Sequence, residues 1–105
     1  MSLPSDSQAR KRIPLATGCV DYFPDALIEV ARLSWAGNEK HNPGEPLHWA
    51  REKSSDHRDC IMRHLIDAGP SGADVDRIEH LAALAWRALA ELQLACEAAE
   101  QGAEA

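Results

Sequence analysis

Aromatic residues are scarce in this chain: three tryptophans, one tyrosine and one phenylalanine among 105 residues. β-Sandwiches and barrels are rich in such side chains, and the prominence of alanine and leucine here points instead to packed helices. Long apolar runs are also missing. The opening stretch "MSLPSDSQARKRIPL" lacks the apolar centre of an export signal, so a cytoplasmic protein that does not span a membrane is expected. The three cysteines, Cys19, Cys60 and Cys96, form no CxxC pair, which argues against a disulfide framework or a zinc knuckle and for a reducing compartment. Positive charge is short as well, with 11 Lys and Arg against 17 Asp and Glu and a net charge of −6. Such a surface repels phosphate backbones and acidic lipid, so neither nucleic acid nor a membrane is expected as partner. A phosphorylated ligand would have to be small, its charge offset by a divalent metal or by clustered arginines.

What is present reads as one all-α domain, a small bundle of three main helices plus an extended N-terminal arm, completed by oligomerisation. Residues 1–12 are polar and aperiodic and read as a flexible tail, residues 13–98 as the folded domain, and residues 99–105 as a frayed end. "RIPLATGCVDYF" mixes β-branched and aromatic residues with Pro14 and Gly18 and reads as the extended arm. A first helix is predicted from Pro24 to Gly37, with Leu27, Ala31, Ser34 and Trp35 on its apolar face and Glu29 pointing away. "NEKHNPGEPLHWAREK" has two prolines and a glycine and reads as a long loop carrying Asn38, Glu39, Lys40, His41, His48, Trp49, Arg51 and Lys53, a set suited to holding a polar ring and phosphates. A second helix is predicted from a cap at Ser54 or Ser55 to Ala68. A third runs from Asp74 past Cys96, with Ile78, Leu81, Ala82, Ala85, Leu89 and Leu92 on one stripe.

The chemistry concentrates on the second and third helices. Asp56, Asp59, Arg63 and Asp67 fall on one stripe of the second, and Asp76, Glu79 and Arg87 repeat that spacing on the third. First-turn acids are stabilised by the helix dipole and need no function, by about 0.3–1 kcal/mol each. Four of them converging would instead repel unless a hard cation such as Mg2+ lay between them. A short connection makes the two helices antiparallel and sets their acids at opposite ends, unless they cross steeply or a second subunit intervenes. His57, His64 and His80 read as packing histidines, Trp35 and Trp86 as core, and Trp49 as the residue placed to stack on a base.

The runs "GNEKHNPGEPLHW", "SSDH" with Asp59, "RHLIDAG" and "AWRALA" resemble the phage dATP/dGTP diphosphohydrolase family, the MazZ-type enzymes, which belong with the all-α nucleoside triphosphate pyrophosphohydrolases of the MazG and HisE kind. The resemblance covers residues 10–98. It implies a metal-dependent homo-oligomer, dimer or tetramer, that converts dGTP or dATP to the monophosphate plus pyrophosphate. The activity would serve phage nucleotide-pool control or the synthesis of a modified purine. The family's ExxE and ExxD pairs would correspond here to Asp56-x-x-Asp59 and Asp76-x-x-Glu79, with aspartate for glutamate and the last pair reversed. It implies Mg2+, with Mn2+ as a substitute, on Asp56, Asp59 and Asp76, joined by Glu79 and Glu29. Asp56, Asp59 and Glu29 would be catalytic. Asn38, Glu39, Lys40, His41, Trp49, Lys53, Arg63, His64, His80 and Arg87 would bind nucleotide. The competing expectation is a nucleotide-binding or helical interaction protein without turnover.

Overall fold

In the computed structural model, which describes residues 2–102, every regular element is helical. The order is α1 (Ser7–Lys11), a π-helical turn (Ala16–Val20), α2 (Pro24–His41), a 3-10 turn (Arg51–Lys53), α3 (His57–Ala68) and α4 (Val75–Glu100). Helix α4 is the spine. It packs against α3 on one side and α2 on another.

Each start has a local cause. Pro24 occupies the first turn of α2, where its missing N–H costs nothing, and Asp25 complements the dipole. Asp74 caps α4 by accepting the Arg77 N–H at 2.7 Å. Helix α3 ends at Gly69, whose φ of +75° suits a residue without Cβ. Ring contacts set the register of α3 on α4: His57 lies by Arg87 and His64 by His80, so the two helices are antiparallel. A bond from Trp86 Nε1 to Ser34 Oγ at 2.7 Å ties α2 alongside α4.

Several expectations are corrected. The first helix does not stop at Gly37 but continues to His41, so Asn38, Glu39, Lys40 and His41 are helical rather than part of a loop. Gly37 keeps a helical conformation there, and the stop falls one turn later at Asn42. The arm is not extended: residues 16–20 wind into a π turn, in which Gly18 lies against Pro14 closely enough that a Cβ would sit 2.7 Å from Pro14 Cγ. The segment read as a tail contains α1, capped by Asp6 on Ala9 N–H at 2.8 Å. Helix α3 begins at His57 and its cap position is Asp56, one or two residues beyond the expected Ser55 or Ser54. Helix α4 reaches Glu100, beyond the expected fray at 99, while residues 103–105 of that segment lie outside the described residues.

The largest difference concerns burial. Trp35, expected in the core, is 64 % exposed, and Leu89 and Leu92 of the α4 stripe are 50 % and 60 % exposed. Among the described residues, the buried apolar side chains are Cys60, Ala68, Ala82 and Ala90, all small. The radius of gyration is 16.1 Å, against about 13 Å for a compact chain of this length.

Candidate active site

The polar groups fall into two poles along the α3/α4 pair. The first forms where the start of α3 meets the middle of α4 and the end of α2. Asp56 stands at the cap position of α3, yet its side chain makes no capping bond. Its carboxylate is turned aside to Arg63 Nη2 at 3.5 Å, Arg87 Nη1 at 3.9 Å and the Cys60 thiol at 3.5 Å. The thiol's hydrogen bond, followed by those from its own backbone and Arg63 and by the charge of Arg87, holds the Asp56 carboxyl below its ordinary range. Asp56 is therefore an anion at neutral pH, set between two guanidinium groups.

Behind it lies His57, only 2 % exposed. Arg87 Nη1 is 3.1 Å from His57 Nδ1. Guanidinium nitrogens only donate, so Nδ1 is the acceptor and the proton of the neutral ring resides on Nε2. That buried Nε2 has no protein partner. On the α2 side, Asn38 is likewise buried, its Nδ2 donating to Glu45 carbonyl oxygen at 3.0 Å. This bond fixes the amide so that Oδ1 is left as an acceptor without a protein partner. There is thus one buried orphan donor on α3 and one buried orphan acceptor on α2, each with its desolvation uncompensated within the protein.

The connection between α2 and α3 is strapped over this pole. Trp49 meets Trp86 edge to face at 5.7 Å, the Arg51 guanidinium lies 4.2 Å over the Trp49 ring, and Arg51 also reaches Glu97 Oε1 at 2.6 Å. Bonds from Gln93 and Arg51 keep the Glu97 carboxyl below its ordinary range. One face of Trp49, the expected stacking residue, is therefore taken by Arg51. Lys40, Lys53, Glu39 and His41 are exposed around this end.

The second pole lies at the other end. His64 Nδ1 and His80 Nδ1 are 3.1 Å apart, and Asp76 Oδ1 is 3.7 Å from His80 Nε2. Burial, then the nearby charge of His80, depresses the His64 pKa. Glu29 pairs with Arg32 at 3.6 Å and lines a groove with Ile78 and Leu81. Asp59 and Glu79 are exposed.

Asp56 and Asp76 are about 18 Å apart along the helix axes, from the antiparallel register and 1.5 Å per residue. Their oxygen chemistry suits Mg2+, but among the described residues no three His, Cys, Asp or Glu side chains gather into a group able to hold an ion. One chain therefore does not assemble the four-carboxylate set expected from the sequence. The stripe of Asp56 and Arg63 was legible from helical spacing. The participation of Cys60, the orphaned His57 and the Trp86 bond to Ser34 were not anticipated, although His57, Cys60, His64 and Ala68 share the buried side of α3 at a spacing visible in the sequence.

Residues 4–104 match the family described as dATP/dGTP diphosphohydrolase, N-terminal, and the chain belongs to that family. It is accordingly a member of a family of hydrolases acting on purine deoxynucleotides. No curated protein and no solved structure matches it. No helix among the described residues is long and apolar enough to cross a membrane.

Proposed function

We propose that this protein hydrolyses dGTP or dATP between the α- and β-phosphates, releasing the deoxynucleoside monophosphate and pyrophosphate. The observation that supports this most is the first pole: Asp56 held between Arg63 and Arg87 at the start of α3, followed by the buried His57, whose Nε2 has no protein partner. In this reading Arg63 and Arg87 exchange Asp56 for the phosphates, a swap between two anionic partners that loses little electrostatic energy. Asp56 is freed to orient the attacking water as an ionised acceptor. His57 and Asn38 present a donor and an acceptor to the purine edge. Guanine and adenine carry donor and acceptor there in opposite order, so a fixed pair discriminates between them. Catalysis by these groups is positioning and charge stabilisation, as phosphoryl chemistry requires.

The proposal includes a requirement for Mg2+, with Mn2+ as substitute, and a homo-oligomeric protein of the cytoplasm, in a phage-infected host where it adjusts the purine deoxynucleotide pool. Because one chain does not gather the acids, no step is assigned to the ion.

The test is product analysis with dGTP and dATP in Mg2+ and 18O-labelled water. Monophosphate carrying the label, together with unlabelled pyrophosphate, is expected. Label in pyrophosphate would move the attack to the β-phosphorus, and release of diphosphate or intact triphosphate would overturn the assignment of the bond. Asp56→Asn is expected to lower kcat at least a hundredfold.

A further inference from the structure

The connection between α2 and α3 is tied to α4 by the side chains of two residues close in sequence, Trp49 on Trp86 and Arg51 on Glu97. The two contacts are not independent. The Arg51 guanidinium lies 4.2 Å over the Trp49 ring, while its Nη1 meets both oxygens of Glu97, at 2.6 and 2.7 Å. The carboxylate is aimed in turn, because Gln93, one turn earlier on α4, donates Nε2 to Glu97 Oε2 at 2.7 Å. Gln93, Glu97, Arg51 and Trp49 thus form a chain of contacts that ends in a planar cation laid on an indole face. A guanidinium stacked in this way covers the surface that a nucleobase would use.

We propose that in the free protein Arg51 occupies the Trp49 face on which the purine stacks, that Glu97 holds it there, and that nucleotide binding is an exchange in which the base displaces the guanidinium. This inference rests on the proposed function above and adds to it a positioning residue, Glu97, which acts on affinity through Arg51 without touching the base.

The balance of forces favours an exchange over a permanent plug. A base on an indole stacks more strongly than a solvent-facing cation does, so the Trp49 contact alone would yield the face to a purine. The Glu97 carboxylate adds its attraction to the guanidinium side and makes the release conditional on the nucleotide. The side chains of Arg51 and Glu97 are 46 % and 35 % exposed, so the guanidinium can swing into water without opening a helix. The platform itself stays in place, since Trp49 rests on Trp86 and Trp86 is fixed by its bond to Ser34 Oγ. Trp86 also stands 6.5 Å from the His57 ring, which puts this platform beside the first pole.

The test is equilibrium binding of the non-hydrolysable α,β-methylene analogue of dGTP in Mg2+, measured by calorimetry on the full chain. Glu97→Gln keeps the shape of the side chain and weakens its hold on Arg51, and is expected to tighten binding about threefold. Arg51→Lys keeps the charge and loses the planar stack, and is expected to tighten binding similarly. Both gains are expected to vanish in a Trp49→Leu background, where no stacking face is left to contest, whereas a plain effect of charge on an anionic ligand would persist there. Constants are compared among variants that retain helical circular dichroism; should Trp49→Leu unfold, Arg51→Lys decides by itself, because it leaves the net charge unaltered. Unchanged or weaker binding in either single variant, or gains that survive Trp49→Leu, overturn the exchange while leaving the proposed function standing. A wild-type chain that binds no analogue overturns the proposed function and the exchange with it.

Discussion

Asn38 uses one side of its amide and leaves the other without a partner. Its Nδ2 bond to Glu45 pins the start of the connection, and the same bond dictates which amide atom is left facing inward. Asn38→Leu keeps the volume but removes both the Glu45 bond and the inward acceptor; under the proposed function the preference between dGTP and dATP is expected to collapse by about tenfold or more, read as the ratio of the two kcat/KM values in a variant whose helical circular dichroism is retained. At this scale the sequence was informative about type and poor about partners. Asp56 and Arg63 share a stripe because 100° per residue places them there, with no knowledge of the fold required. That Arg87 meets the same carboxylate depends on the register of α3 against α4, which residues 69–74 set through their path and not through a readable code. Trp35 misled for a related reason: an apolar helix face was visible, but whether its own chain or another covers it was not.

Among the elements, α4 depends most on a single cap. Asp74→Ala removes the acceptor for Arg77 N–H and is expected to cost about 1 kcal/mol, a fall in Tm of about 4–8 °C for a domain this size. Asp56 occupies the equivalent position on α3 without capping, so Asp56→Asn is expected to leave Tm nearly unchanged while lowering turnover, a contrast that separates the two aspartates by calorimetry and assay. Between α3 and α4, the paired imidazoles require one Nδ1 to donate and the other to accept, and a second proton would set two donors face to face. The His64 pKa is depressed in the folded chain from its ordinary 6.5. The unfolded chain therefore takes up this proton more readily, and its contribution to stability is complete above 6.5 and shrinks as pH falls below it. Tm measured on either side of that value is expected to drop toward acid, with a flatter slope in His64→Asn. Helix boundaries were legible where a cap or a proline marked them, as at Pro24 and Asp74. They were not legible at Gly37, because an interior glycine costs a helix only about 1 kcal/mol and packing of Asn38 outweighs it.

For the molecule as a whole, the all-helical class followed from composition and spacing, and the separation of the acids into two poles followed from the short connection between antiparallel helices. The shape of the core did not. Cys60, Ala68, Ala82 and Ala90 are too small to reveal themselves against the larger apolar residues that the chain leaves outside. Side chains of that size bury little surface, and little surface means a weak driving force for a solitary chain. In the homo-oligomer proposed above, dilution should therefore act as a denaturant does on other proteins: the melting midpoint is expected to climb as the protein is concentrated, and a preparation thinned to nanomolar levels is expected to lose its folded helices, whereas a midpoint independent of concentration would speak for a self-sufficient chain.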